Sequence, residues 1–509
     1  MKSVQSNIIL LFLLFFSLVL YGQKKTKIYV ERANIQRYDE ALGKDIESLI
    51  GQVVLRHDSS LFYCDSVLLN TATRDFKAYG HIHIFVNDTV ELFSDSLYYN
   101  GNTRIAELFG HVKLLDQETV LTTEHLIYDR NTDIAYYNNY GKIVNKDNIL
   151  TSKEGYYHEK TKIFYFKNNV ILTNPDQKTV SDTLIYNTNN ETAYFKGPTI
   201  IYSDQGTLYC EDGWYDTRTN LSKLIRKPEL SQNEQFLSAD SILFNGNSNS
   251  GKAFGRVQIK DTVMQVLIRG VFGEMWQDRG MAYVTDSATA IAYDENDSLF
   301  FSADTLWMFF NKDDHTAKKI LAYYHARFYR TDLQGKCDSM SYSLEDSVIR
   351  LYYEPVLWSE NNQLTADSMT IAIKNNQPDS LVMYDNAMIV MHDTLDRFNQ
   401  IKGRKMIGYF SGKELTRIFV DGNAQTVFYL NDEQGFLIGI NRAEASTMEI
   451  RLKGGEIYTV SYNEDPKETT YPPDKFPPEG RRLKGFSWQE DIRPQSKYDI
   501  YRRVEKTTD

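Results

Sequence analysis

The sequence predicts an all-β protein built from about a dozen stacked two-strand repeats of ~29–35 residues. First, near copies of one motif recur along the chain, as in "ELFSDSLYYNGNTRIAELFGHV" from Glu91 and "TVSDTLIYNTNNETAYFKGPTI" from Thr179. Second, the apolar residues of each copy alternate with a period of two, which is the period of a strand. Third, the 35 tyrosines and 27 phenylalanines favour pleated sheets, where aromatic side chains pack well.

An acidic residue in the pattern x-D/E-x-L-x-Y marks the repeats. Its first seven positions are separated by 28 to 30 residues, and the longer step before the eighth has room for one degenerate unit near "VLIRGVFGEMW". This spacing is typical of stacked arrays, in which each unit needs only its neighbours. The marker positions are Asp65, Asp95, Glu124, Glu154, Asp182, Glu211, Asp240, Asp304, Asp338 and Asp367.

Each repeat has the same order of elements. One strand follows a glycine, as at Gly80, Gly110 and Gly255, and alternates apolar with polar residues. The second strand carries the acidic marker. A polar turn comes after it, for example "NGNT" from Asn100, and such residues tolerate left-handed backbone angles.

The residues beside the marker predict a bend in the second strand. Ser94 precedes Asp95 directly, and Leu97 lies two positions after it. In a flat strand Ser94 and Leu97 would face opposite sides of the sheet. If both face inward, the strand must bulge at the acid. We expect the carboxylate to accept hydrogen bonds from backbone amides at this corner.

The N-terminus resembles a signal peptide over residues 1–22. An apolar run, "IILLFLLFFSLVL" from Ile8, is shorter than the ~20 residues of a membrane-spanning helix, and the small Gly22 follows it. We expect an exported protein; an uncleaved anchor is the alternative. The net charge of −11 argues against a nucleic-acid partner. The three cysteines, Cys64, Cys210 and Cys337, occupy the same point of the repeat and are expected to be small buried residues.

No pattern in the sequence indicates catalysis or a cofactor. A glycosidase needs one pair of carboxylates, whereas here an acid recurs in each repeat. One acid per repeat is too sparse for a calcium ladder. His81, His83 and His111 could together bind zinc, but they alternate with Ile82 and are expected to face outward on a polar surface. We therefore expect no enzyme, no metal and no cofactor.

The array is expected to divide into an N-terminal part, residues 27–250, and a C-terminal part, residues 251–462, followed by a Pro-rich charged tail, residues 463–509. Two interpretations of the tail are open: an extended, solvated segment, or one that docks on a partner or folds back over the end of the array. Six of the 11 prolines lie in it: Pro466, Pro472, Pro473, Pro477, Pro478 and Pro494.

The repeated strand pair resembles the OstA-like family of periplasmic lipopolysaccharide-transport proteins, related to LptA and to the N-terminal domain of LptD. The clearest matches are "FSDSLYYNGNTRIAELFGHVKL" from Phe93 and "VSDTLIYNTNNETAYFKG" from Val180. The stretch from Val420 to Ile450 is similar to the long form found in Bacteroidetes. The resemblance implies an extended open β-jellyroll around an apolar groove, located in the periplasm.

The resemblance also implies a function in outer-membrane biogenesis. The groove would bind the acyl chains of lipopolysaccharide or lipooligosaccharide and pass the lipid from the inner to the outer membrane. Partners would be an inner-membrane transport complex and an outer-membrane translocon, joined by strand addition, and further copies of the chain end to end. Two alternatives are a β-helix enzyme acting on polysaccharide and a structural or adhesive exported repeat protein. Representative positions of the groove wall are Ile82, Ile84, Leu97, Val112, Leu114 and Leu126.

Overall fold

The computed structural model describes residues 27–501, except for residues 39, 87–89, 205, 233, 294–296, 314–315, 376, 395 and 413. The described residues form 36 strands, paired antiparallel, and four 3₁₀ helices of three residues each. The all-β fold predicted from the sequence is confirmed. The predicted signal peptide lies outside the described residues. Within the described part of the chain, no helix has the length and apolar character that crossing a membrane requires.

The chain divides into two compact units, of which the first ends at Asp204 and the second begins at residue 205. The division predicted between residues 250 and 251 stays a prediction. The strands of the first unit are β1 (Tyr29–Arg32), β2 (Ile35–Tyr38), β3 (Ile46–His57), β4 (Ser60–Asn70), β5 (Asp75–Phe85), β6 (Val90–Asn100), β7 (Ile105–Asp116), β8 (Thr119–Asp129), β9 (Ile134–Tyr137), β10 (Gly141–Asn145), β11 (Asn148–Ser152), β12 (Glu154–His158), β13 (Ile163–Thr173), β14 (Gln177–Asn187) and β15 (Thr192–Ser203).

The second unit continues the same architecture. Its strands are β16 (Gly206–Asp216), β17 (Leu221–Ile225), β18 (Glu229–Gln232), β19 (Gln235–Ser238), β20 (Ser241–Asn245), β21 (Ser250–Asp261), β22 (Val266–Trp276), β23 (Met281–Ala292), β24 (Leu299–Phe310), β25 (Ala317–Arg330), β26 (Leu333–Ser343), β27 (Val348–Tyr352), β28 (Val356–Ser359), β29 (Asn362–Thr365), β30 (Ser368–Lys374), β31 (Gln377–His392), β32 (Phe398–Ser411), β33 (Glu414–Asn431), β34 (Leu437–Lys453), β35 (Glu456–Asn463) and β36 (Lys467–Tyr471). The 3₁₀ helices are Gln277–Arg279, Pro478–Gly480, Glu490–Ile492 and Asp499–Tyr501.

The long strands bend near their middle, as predicted. Cys64 and Val67 are both buried although they lie three positions apart in β4. The ladder from β4 to β5 shifts register at this point, between Tyr63 and Ser66. The extra residue belongs to the glycine strand, where Gly80 and His81 both have positive φ angles, 75° and 46°. The bulge therefore lies beside the marker acid, on the neighbouring strand. It turns the two halves of the sheet to face each other across an apolar interior, which is the predicted β-jellyroll arrangement.

The marker carboxylates bind side chains, so the predicted hydrogen bonds to backbone amides are wrong at Asp65 and Asp95. Oδ2 of Asp65 lies 2.7 Å from Nδ1 of His81, and the same distance joins Asp95 to His111. The bulge places the residue after the glycine directly over the acid of the neighbouring strand. A Cβ on Gly80 would lie 2.3 Å from Oδ2 of Asp65, which explains the glycine.

The C-terminal segment folds back, as the second interpretation of the tail expected, but it lies on the outer face of the second unit and not over the end of the array. The buried side chains of Gln363 and Gln400 hold its backbone. Gln400 donates to the carbonyl of Arg481 and accepts from the amide of Leu483, at 2.8 Å each. Gln363 binds the carbonyl of Ser487 and the amide of Gln489 in the same manner. Each glutamine thereby imitates the hydrogen bonding of a neighbouring strand.

Candidate functional site

All six predicted wall positions lie in the first unit and point into its interior. Ile84 and Leu114 belong to one row of directly paired side chains, with Leu92 between them. Leu97 and Leu126 belong to a second row, with Leu108 between them. The six side chains are 0–2% exposed: Ile82, Ile84, Leu97, Val112, Leu114 and Leu126. The interior at these positions is closed to water, and their role as a groove wall stays a prediction.

Two rims of hairpin turns border this interior. The turns after β3 and β7 belong to the first rim, and the turns after β6, β8 and β12 belong to the second rim. Along the second rim of the first unit, five large aromatic side chains and two alanines form a row of direct partners. The members of this row are at most 3% exposed: Phe76, Tyr99, Ala106, Tyr128, Ala135, Tyr157 and Phe164.

Polar contacts join the two rims of the first unit, and we call them the rim latch. His57, fully buried on the first rim, has its Nδ1 2.6 Å from the hydroxyl of Tyr99 on the second rim. Arg130 donates to that hydroxyl at 2.8 Å and to the carbonyl of His57 at 3.2 Å. Burial raises the pKa of Tyr99, which keeps its hydroxyl protonated. Asp58 and Arg104 add an ion pair of 3.1 Å between the rims.

A second part of the rim latch is centred on Asp116, which is 5% exposed at the end of β7. Its Oδ2 accepts hydrogen bonds from Lys162, at 2.6 Å, and from the hydroxyl of Tyr157, both on the second rim. Its Oδ1 has no hydrogen-bond partner within the described residues. Burial of charged and polar groups is costly unless they are paired. These contacts therefore hold the first unit closed.

In the first strands of the second unit, β16 to β23, the described residues of both rims are less buried. Their first-rim row is apolar, and each member is partly exposed: Leu208, Leu230, Leu237, Ile259, Ile268 and Ala290. Their second-rim row is also partly exposed: Tyr215, Ser222, Phe244, Gly251, Met275 and Ala282. Apolar side chains thus line both rims where water reaches the interior.

Small residues enlarge the interior of β16 to β23. A Cβ added to Gly251 or Gly273 would meet its nearest neighbour only at 3.6 and 3.4 Å, which is ordinary contact. In the first unit the inward Gly155 gives no such room, because an added Cβ would lie 2.5 Å from the ring of Tyr137. The tyrosine already occupies the space that the glycine leaves.

The prediction from the sequence missed these partly exposed inward positions of β16 to β23. It took its representatives from the most regular repeats, which are those that pack most tightly. The available signal was the irregular stretch "VLIRGVFGEMW" in β22, which puts Gly273 at the position that Leu97 occupies in a regular repeat. Departure from the repeat therefore indicated the accessible part of the interior.

The histidines considered for metal binding contact neighbouring side chains of the sheet. His81 and His111 bind marker carboxylates, and His83 stacks on Phe93 with ring centroids 4.3 Å apart. No group of three or more His, Cys, Asp or Glu side chains among the described residues could hold a metal ion. The three cysteines are buried and free, as expected, and burial raises the pKa of Cys64 to about 12.

This geometry defines an antiparallel β-repeat protein with an apolar interior. Residues 25–182 match the sequence model of the OstA-like protein family. No curated protein matches the chain. Among solved structures, it is similar to the crystal structure of LptH, "the LptA homologous periplasmic component of the conserved lipopolysaccharide transport device from Pseudomonas aeruginosa". That match has 14% identity and a TM-score of 0.21, and covers 22% of this chain and 92% of LptH.

Proposed function

We propose that the protein is a periplasmic bridge component that carries lipopolysaccharide from the inner to the outer membrane, with the acyl chains in its apolar interior. The observation that carries the proposal is the pair of partly exposed apolar rows along β16 to β23, such as Leu237 and Ile259 opposite Phe244 and Met275. The family match of the N-terminal part supports it. The protein acts by binding and is not an enzyme.

The physical need for such an interior follows from the cost of exposing acyl chains. A twelve-carbon chain in water costs on the order of 10 kcal/mol, at about 0.8 kcal/mol per methylene. A lipid with several chains therefore cannot cross an aqueous gap alone. Inside the sheet the chains stay covered, and the sugars extend through the open rim into water. Because successive strands offer similar surfaces, directed movement requires an energised partner.

The ends of the array offer surfaces for such partners. β1 and β2 both pair with β3 and leave the exposed residues Tyr29, Ile35 and Tyr38 on the outermost strands. In the second unit, the last strands, β35 and β36, both pair with β34. Exposed strand edges can add strands from another chain. The inner-membrane complex, the outer-membrane translocon or a second copy would join there.

A second candidate function is that of a structural β-repeat protein with a filled core. The tight packing of the first unit favours it, because Leu114 and Leu126 are fully buried. The other alternative from the sequence, a polysaccharide-active β-helix, requires parallel strands, whereas the described ladders are antiparallel. The lipid carrier and the scaffold therefore differ only in whether the interior admits a ligand.

Photo-crosslinking of the purified protein separates these candidates. A photoreactive residue replaces the inward Ile259 or, as a matched control, the neighbouring outward and exposed Gln258. Each variant is irradiated with intact lipopolysaccharide and with the same material after removal of its acyl chains. We expect adducts at Ile259 with the intact lipid alone, and none at Gln258. Equal labelling at both positions, or labelling that does not require the acyl chains, would contradict the proposal.

A further inference from the structure

Six aromatic side chains form a continuous surface on the outside of β21 to β24, and we call it the outer aromatic face. They point away from the interior, since their strand neighbours Ala253, Val284 and Leu306 are the buried ones. Phe254 is 40% exposed and the other five are partly exposed. The members are Phe254, Phe272, Trp276, Tyr283, Trp307 and Phe309.

The rings of the outer aromatic face contact one another. The ring centroids of Tyr283 and Trp307 are 4.7 Å apart, and those of Trp276 and Tyr283 are 5.8 Å apart. Phe254 and Phe272 are separated by 5.3 Å. Two of the five tryptophans of the chain therefore lie in one solvent-facing cluster. Contiguous apolar surface of this kind marks a site of interaction.

The corresponding outer row of the first unit shows what a solvated face of the same fold contains. There Leu68, Lys77, Tyr98 and Glu107 follow one another as direct partners, so that apolar and charged residues alternate. In β24 the apolar side chains are consecutive, with Leu306 inward and Trp307 outward. Strands that are covered on both faces have this continuous apolar pattern.

Basic residues surround the outer aromatic face. Lys223 and Lys252 lie in the same outer row as Tyr283, and Lys319 is the direct partner of Phe309. The guanidinium of Arg279 lies 5.8 Å above the ring of Trp276. The acid within the row, Glu274, is 12% exposed and neutralised by Lys252 at 3.2 Å. A second acid, the exposed Asp278, precedes Arg279. Four basic residues thus stand against two acids, and the face is locally basic although the chain as a whole carries a net charge of −11.

We propose that the outer aromatic face docks on an anionic phospholipid surface. Tryptophan and tyrosine rings favour the boundary between acyl chains and headgroups, because each ring combines an apolar body with a polar group. Lysine and arginine side chains at that depth are attracted to anionic headgroups. The complementary charge selects a lipid surface over a neutral apolar partner. This docking is distinct from the binding of lipid chains inside the sheet.

Vesicle flotation tests the docking. The full chain is mixed with vesicles of phosphatidylethanolamine alone or of equal parts phosphatidylethanolamine and phosphatidylglycerol. We expect binding to the anionic vesicles, weakened by salt, and quenching of tryptophan fluorescence by brominated phosphatidylglycerol. The double variant Lys223→Glu/Lys319→Glu should bind at least about 20-fold more weakly, because each lysine beside an anionic surface contributes a factor of about five to the affinity. Trp307→Thr should bind more weakly and be quenched less.

The matched control is Lys77→Glu/Tyr98→Thr in the outer row of the first unit, which should bind as the unaltered protein does. Should Trp307→Thr fail to fold, the charge variant still decides the matter, since both lysines lie on the surface. Equal binding to both kinds of vesicle, or unchanged binding by the charge variant, would overturn the proposal. If the protein forms a dimer that the Trp307→Thr substitution dissociates, and the protein does not bind vesicles, the proposal is overturned in favour of self-association. In each case crosslinking at Ile259 reports separately on the proposed function.

Discussion

The interior of the first unit and the interior of β16 to β23 have the same backbone plan and opposite accessibility. In the first unit, Tyr99, Tyr128 and Tyr157 fill the second rim to at most 3% exposure, and polar groups join the rims. In β16 to β23 the equivalent row contains Gly251 and Ala282 and is partly exposed. The difference shows that the repeat determines the bend and the strand pairing, whereas the side chains of two rows determine whether water reaches the interior.

The largest expected effect comes from breaking the rim latch at its buried charge. Asp116→Ala removes the partner of Lys162 and Tyr157 and leaves both uncompensated. We expect the free energy of unfolding to fall by about 3 kcal/mol, as for other broken buried ion pairs. Urea unfolding measures this change. Asp147→Ala, in the exposed turn after β10, is the control and should alter stability by less than about 0.5 kcal/mol.

Alanine substitutions at two inward glycines test the difference in free space. Gly155→Ala pushes a Cβ against the ring of Tyr137, so we expect a loss of about 1–3 kcal/mol in the free energy of unfolding. Gly251→Ala meets no atom closer than 3.6 Å and should change stability by at most about 1 kcal/mol, in the stabilising direction. Thermal unfolding of the two variants measures the contrast. Equal losses would show that β16 to β23 pack as tightly as the first unit.

A substitution in β32 tests what holds the C-terminal segment on the outer face of the second unit. Gln400→Ala leaves the carbonyl of Arg481 and the amide of Leu483 without their partner, which costs about 1–3 kcal/mol locally. We expect faster hydrogen exchange at the amide of Leu483 and unchanged exchange in the first unit. Gln258→Ala, at an exposed outward position, is the control. Unaltered exchange at Leu483 would mean that contacts other than the glutamines hold the segment.

The smallest effect is expected from the corner histidines of the first unit. Hydrogen bonds to Asp65 and Asp95 raise the pKa of His81 and His111 above the ordinary value of 6.5. The pairs therefore stabilise the fold fully below pH 6.5, and the contribution disappears as the pH rises through the raised pKa. Proton titration followed by NMR should show that Asp65→Asn lowers the pKa of His81 and leaves that of His111 unchanged. A pKa for His81 that does not depend on Asp65 would contradict the pairing.

Much of the fold could be predicted from the sequence because the repeat encodes it locally. The alternation around Asp95, with Ser94 and Leu97 both inward, was enough to predict the bend. The partner of the acid could not be predicted, because the bulge that brings His111 over Asp95 lies in the next strand. The six predicted wall positions could be assigned to the inward side by period alone. Which rims are closed could not be predicted, since the closure of the first unit depends on the long-range contacts of His57 and Asp116.

The most direct test of the central claim compares lipid crosslinking at two inward positions, Leu114 in the first unit and Ile259 in β21. Both are probed with the same photoreactive residue and the same lipopolysaccharide, in the unaltered background and with Asp116→Ala. We expect strong labelling at Ile259 and weak labelling at Leu114, and the labelling at Leu114 should rise towards that at Ile259 once the rim latch is broken. Equal labelling in the unaltered background, or no labelling at Ile259, would contradict it.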